Sequence, residues 1–171
     1  MPAPNHHHST ASCGCGKVEL RITGAPITSL VCYCDDCRRG SRVIEALANA
    51  GPVQDADGGT AYVLYRKDRV ECSRGAQFLQ NLKIKDASAT SRVVATCCNA
   101  AMLMKFDDAR HWSPVYRARL DGSAPPLQMR ICTKFRPEGS RIARDVPSHT
   151  GYPLVFLMKL IGAWIPMLLR R

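Results

Sequence analysis

Nine cysteines, seven of them gathered into three short clusters, constrain this chain more than any other feature. The clusters read Cys13-Gly-Cys15, Cys32-Tyr-Cys34-Asp-Asp-Cys37 and Cys97-Cys98, with Cys72 and Cys132 standing apart. Cysteines this close in sequence can present their sulfurs to one point from a single tight turn, as a tetrahedral zinc ion requires. A cluster of two or three thiolates cannot close such a site alone. It must borrow from another cluster, which makes a structural site, or leave a coordination position open, which makes a reactive one. The opening MPAPNHHHSTAS has no charged start followed by an apolar run, so export is not expected. In the cytoplasmic setting this predicts, bound metal explains the cysteines better than disulfides do. A redox role for Cys34-x-x-Cys37 fits poorly, because Cys32 crowds it and no βαβ pattern surrounds it. Cys72 and Cys132 read as small buried hydrophobes.

The rest of the chain reads as a mainly β body with tails. Residues 1–12 are expected to be a flexible leader, with His6, His7 and His8 as a metal-binding arm or tag remnant. Val18, Leu20 and Ile22 alternate with Lys17, Glu19 and Arg21, the period-two pattern of a half-buried strand. Further strands are expected at 29–33, 61–65, 69–73, 79–84, 91–96, 101–106 and 116–120, separated by turns such as Asp57-Gly-Gly-Thr60. Residues 41–50 fit a short helix or a strand equally. Short strands at this spacing indicate a sandwich or barrel-like domain over residues 13–122. Aromatics make up only 6% of the chain, so metal is expected to supplement a thin aliphatic core.

The formal charge of +10 is unevenly placed. Residues 127–171 hold eight Lys and Arg against two acids, leaving a nearly balanced body and a basic extension over 123–153. No recognition-helix pattern or aromatic interleaving accompanies that charge, so nucleic acid is not an expected partner. The chain closes with an apolar helix over 154–171, on which Leu154, Leu157, Met158, Ile161 and Ile165 share one face and Phe156, Leu160 and Trp164 a neighbouring one. The sixteen residues from Leu154 to Leu169 hold a single charge, Lys159, and span about 24 Å as a helix, short of the roughly 30 Å of a hydrocarbon core. Pro166 is expected to break or kink the last turn. This surface must be buried against the body, in a homodimer or at a membrane interface, with Arg170 and Arg171 suited to lipid head groups or a helix C-terminus.

Several motifs together resemble a known family. Cys13-Gly-Cys-Gly16 leading into a strand that ends in Thr23-Gly24, then Cys32-Tyr-Cys-Asp-Asp-Cys-Arg-Arg39, then Arg92 shortly before Cys98, resemble the glutathione-dependent formaldehyde-activating enzymes, a group that includes the centromere protein V–like proteins. Tyr33-Cys-Asp-Asp-Cys37 with Asp57-Gly-Gly59 and Cys97-Cys98 is similar to an uncharacterised branch of it. The resemblance implies an Mss4-like β-tent built on zinc knuckles. It implies one structural Zn²⁺ on Cys13, Cys15 and Cys98, and a second, more labile Zn²⁺ on Cys32, Cys34 and Cys37 with an open fourth position. The late knuckle carries Ala95 and Asn99 where the family usually has cysteine and glycine, so Cys97 is the candidate for the missing structural ligand. The implied activity is a carbon–sulfur lyase reaction, the interconversion of formaldehyde and glutathione with S-hydroxymethylglutathione.

On that reading the partner is a small thiol such as glutathione. Cys32, Cys34 and Cys37 are catalytic in holding the reactive ion, and Asp35 and Asp36 are placed to move a proton. Arg38 and Arg39 are expected to bind a substrate carboxylate or to neutralise the zinc–thiolate centre, and Tyr33 to offer a hydroxyl or to pack at a strand end. The competing class is a zinc-stabilised binding module without catalysis, docking a partner through its basic tail.

Overall fold

In the computed structural model, residues 8–122 and 124–169 are described. Residues 1–7, with His6 and His7, lie outside them, as do Ser123, Arg170 and Arg171. Among the described residues, ten strands form two sheets. The smaller is antiparallel and orders β1 (His8–Ser12), β2 (Glu19–Thr23) and β5 (Val70–Arg74) side by side. The larger orders seven strands as β10-β3-β4-β9-β8-β7-β6. They are β3 (Thr28–Cys32), β4 (Thr60–Arg66), β6 (Leu79–Leu82), β7 (Thr90–Ala95), β8 (Ala100–Phe106), β9 (Trp112–Tyr116) and β10 (Met129–Ile131). Helix α1 (Asp35–Glu45) follows β3, and α2 (Leu154–Leu168) closes the chain. The architecture is mainly β with a C-terminal helix, as expected.

The larger sheet is buried on both faces, and side-chain alternation assigns each residue to one of two cores. From β4, Val63 and Tyr65 join Val18, Leu20 and Ile22 between the sheets. Tyr62 and Leu64 point the other way, toward Ile44 of α1 and Phe156 and Leu160 of α2. Both faces being covered explains why β8 reads as an unbroken apolar run, Ala100 to Met104, rather than an alternation. A bulge opposite Val93 and Val94 of β7 puts Met102 and Leu103 on the same side of the sheet.

Four expectations change. Residues 8–12, expected in the leader, instead pair antiparallel with β2, with Ala11 fully buried. Residues 117–119 form a 3-10 turn, and the strand lies earlier, over 112–116, where Pro114 had masked the pattern. The basic extension is not only a linker, since it contributes β10, which pairs parallel with β3. Helix α2 runs through Pro166, so of the expected break or kink the break does not occur. It buries the 156–160 face, while Leu154, Met158, Ile161 and Ile165 are exposed, so the five-residue stripe is not its packed side.

His111 pins α2 to the body. Its Nε2–H donates to the Leu160 carbonyl at 2.8 Å, and its ring stacks near Trp164 and meets Trp112 edge-on. Burial, together with the nearby Lys67 and Arg66 charges, holds its pKa below the usual histidine value, against the opposing pull of the Leu160 bond. The unfolded chain therefore binds the proton more readily than the folded one, and stability falls as pH drops below about 6.5. The melting temperature of the native protein is expected to fall more steeply between about pH 7 and pH 5 than that of His111→Gln. Equal slopes in thermal melts of the two would refute this role.

Candidate metal centres and the adjoining cavity

The first cysteine cluster is assembled from two turns. The loop after β1 is closed by Gly16 N–H to the Cys13 carbonyl and Cys13 N–H to the Val18 carbonyl, both 3.0 Å, and it carries Cys13 and Cys15. The turn between β7 and β8 is closed by Cys98 N–H to the Ala95 carbonyl at 3.2 Å and carries Cys97 and Cys98. It exits through Asn99 at a φ of 52°, a left-handed conformation that asparagine tolerates and a β-branched residue does not. Asn99 thus does the backbone work for which a glycine is the usual choice. The sulfurs lie 3.6 Å apart for Cys13 and Cys15, 3.7 Å for Cys13 and Cys97, and 3.4 Å for Cys15 and Cys97. A tetrahedron with metal–sulfur bonds near 2.3 Å has edges of about 3.8 Å, so these distances fit one ion with little adjustment. Cys98 belongs to the same group, all four sulfurs lying within 4.8 Å of one another. Burial raises the Cys13 thiol pKa, but the Val18 N–H bond and the neighbouring Cys15 and Cys97 thiols more than reverse this, bringing it to about 6.

The second cluster depends on a helix start. Cys34 is the N-cap of α1, in extended conformation, and its sulfur accepts the Cys37 N–H at 3.4 Å. Asp35 and Asp36 in the first turn suit the positive end of the helix dipole. Cys37, Gly40, Ser41 and Ile44 form the buried face, which explains why the segment is a helix and why it begins inside the knuckle. The sulfurs of Cys32, Cys34 and Cys37 lie within 4.8 Å of one another, a second group able to hold a metal ion. Hydrogen bonding from the Cys32 and Cys37 thiols and the Cys37 N–H, with the Arg92 charge nearby, pulls the Cys34 thiol far below its ordinary pKa. Hydrogen bonding and burial within the same cluster push the Cys32 and Cys37 thiols upward.

Three further groups meet this cluster. Arg92 of β7 is 2% exposed, and its Nη2–H donates to the Asp36 carbonyl at 2.6 Å. It reaches that place only because residue 40 is glycine: a Cβ there would sit 2.2 Å from the Arg92 Nε. Cys132, which the sequence suggested was a plain buried hydrophobe, interacts with the Cys32 thiol and with Tyr152. The parallel register that pairs Ile131 with Cys32 brings it there. A cavity of about 310 Å³ opens beside Cys32, Cys34 and Cys37 and is lined also by Asp36, Arg92, Tyr152 and the inner face of α2.

The other residues singled out in the sequence are placed elsewhere. Tyr33 is fully buried and its hydroxyl donates to Asp57 Oδ2 at 2.6 Å. Arg38 donates to the Phe135 carbonyl at 2.5 Å and lies 3.8 Å from Asp35. Arg39 is exposed. None of these three lines the cavity. Cys72 sits apart on β5, its thiol directed to the Arg74 carbonyl.

A family model described as glutathione-dependent formaldehyde-activating enzyme matches residues 8–132. The chain belongs to this family. The match covers both cysteine clusters, and the fold of the family is the Mss4-like one. A crystal structure of a Rhodobacter sphaeroides protein is similar in shape, with 18% identity and a TM-score of 0.48 over 68% of this chain and 91% of that one. No curated protein matches the chain significantly. Among the described residues, no helix is long and apolar enough to cross a membrane.

Two measurements check the site. Strong chelation is expected to lower the melting temperature by on the order of 10 °C, because metal held by four thiols from two distant turns stabilises only the folded state; a chelated protein that melts cooperatively at the unchanged temperature would contradict this. Gly40→Ala gains about 1 kcal/mol of helix propensity but forces a buried guanidinium to move, at about 2–3 kcal/mol. The net effect is a loss, read as a lower denaturation midpoint with an unchanged slope.

Proposed function

We propose that this protein is a zinc-dependent enzyme of the carbon–sulfur lyase type, acting on a thiol–aldehyde adduct at Cys32, Cys34 and Cys37. One observation carries the reading: the three-thiol cluster opens onto a cavity, whereas the four-thiol cluster lies elsewhere and is geometrically closed. Four cysteines suit a structural zinc and three suit an ion that exchanges its fourth ligand, so Cys13, Cys15, Cys97 and Cys98 are assigned the structural role. A ligand-sized cavity beside the Cys34 thiol, whose pKa is lowered, also favours the enzyme over a binding module. All nine cysteines are free thiols, which suits residence in the cytoplasm.

Zinc bound there would supply Lewis-acid stabilisation to a sulfur leaving or arriving at the centre. The chain's own residues do the remainder. In the cleavage direction the carbon–sulfur bond breaks and its electron pair stays on sulfur. The adduct's hydroxyl loses its proton as the carbonyl forms, and Asp36, a residue of the cavity lining, accepts that proton. Arg92 offsets the negative charge that collects beside Cys34. Asp35 does not line the cavity and lies 3.8 Å from Arg38, which leaves it outside this proton path. Arg38 and Arg39, on the outer side of α1, are assigned the neutralisation of surrounding charge rather than substrate contact.

Paired variants test the division of labour. Cys34→Ser is expected to reduce cleavage of S-hydroxymethyl thiol adducts, followed by aldehyde release, by at least about a hundredfold. It should lower the bound zinc by one equivalent and leave a folded protein. Cys15→Ser is expected to lower the melting temperature instead. Identical behaviour of the two variants would overturn the assignment.

A further inference from the structure

The cavity beside the second cluster is enclosed by side chains unsuited to a multiply charged ligand. Its walls are Met104 and Phe106 from β8, Trp112 from β9, and Phe156, Leu157 and Leu160 from α2. Its volume of about 310 Å³ is at the lower end of small-molecule sites. The charged residues that line it are Asp36, Arg92 and Arg110; one cation is held by a carboxylate and the other is set against the cysteine cluster. Arg110 is bound by both carboxylate oxygens of Asp108 and lies over the Phe106 ring at 3.7 Å. Arg92 donates through Nη2 to the Asp36 carbonyl and has its charge near Cys34, while its Nε has no hydrogen-bond partner. A glutathione molecule brings two carboxylates and an ammonium, and burying them without matching partners is costly. The α2 wall also lies beyond residue 132, where the family match ends, so the shape of this cavity is set in part by a segment outside the matched region.

We propose that this cavity takes a small thiol, or its aldehyde adduct, whose body is apolar and close to uncharged, rather than glutathione. The inference rests on the reading of Cys32, Cys34 and Cys37 as a thiol-binding centre. The aromatic and aliphatic walls hold the body, and the sulfur reaches the cluster at the cavity's end. Helix α2 thereby acts as the specificity-determining wall. Leu157 is the position to change, because it lines the cavity while remaining 44% exposed, so a polar residue there does not disturb the core.

The experiment is isothermal titration calorimetry of the full-length, zinc-loaded protein with 2-phenylethanethiol, thiol-free 2-phenylethanol and glutathione. The aromatic thiol is expected to bind at least about tenfold more tightly than glutathione, as burial of its ring would give. Leu157→Gln is expected to weaken both aromatic probes at least about threefold, with an unchanged melting temperature. Glutathione binding as tightly as the aromatic thiol, or Leu157→Gln leaving both aromatic probes unaffected, would overturn the proposal. If the alcohol binds as well as the thiol, and both exceed glutathione, the apolar cavity stands and the thiol-binding reading of the cluster fails. Weak glutathione binding in the wild type and in Leu157→Gln alike, beside a selective loss of the aromatic probes, supports the proposal.

Discussion

The hydrogen bond from Cys37 N–H to the Cys34 sulfur links the parts of this molecule that matter for its chemistry. It caps α1, satisfying one of the donors that a helix start leaves over, and it also lowers the charge cost of a thiolate at that point. Because the cap is a cysteine, the first turn of the helix carries Cys37 to the same spot, and the end of β3 supplies Cys32. The buried face of α1 then follows from the 3.6-residue period, with Gly40 falling where Arg92 crosses. Helix direction, thiol convergence and guanidinium placement are consequences of one capping geometry.

Local patterns in the sequence made much of the fold legible. Leu20 and Ile22 stand where period-two alternation puts them, fully buried between the sheets. The strands at 60–66, 70–74 and 90–95 lie close to their expected positions. The misses have a common origin in long-range pairing. Residues 8–12 are polar and histidine-bearing, and only pairing with β2 makes them a strand. Residues 129–131 form a three-residue strand that no window can detect, fixed by a parallel partner almost a hundred residues earlier. On α2 the hydrophobic residues run around most of the helix, so periodicity could not choose the packed face. Contact with Leu64, Tyr62 and His111 chose it.

The same distinction governs the site. Spacing alone marked Cys13, Cys15, Cys32, Cys34, Cys37, Cys97 and Cys98, because a tight turn that gathers sulfurs is a local event. Their sulfurs gather into groups of four and of three, each able to hold a metal ion. Cys132, Tyr152 and the α2 wall were not legible, since each arrives at the cluster through tertiary structure. Cys132 offered a weak signal in being a cysteine at the end of an apolar strand. Arg38 and Arg39 offered a strong one, adjacent to the knuckle, yet the helix turns them away from the cavity and β7 supplies Arg92 instead.

Charge balance explains why the cavity is apolar so near a cysteine cluster. A divalent ion with three thiolates carries one net negative charge, and a buried site cannot leave that unanswered. Arg92, 2% exposed and with its charge near Cys34, would supply the answering charge to an ion held there. With Arg110 held by Asp108 and Lys159 turned outward to Gln128, Arg92, whose Nε has no partner, is left as the cavity-lining cation that an anionic group could meet. Aliphatic and aromatic side chains fill the remaining wall, and the low-dielectric surroundings they create strengthen the pairing of Arg92 with the thiolate centre. The apolar lining and the stabilised thiolate are therefore two results of the same placement of one arginine.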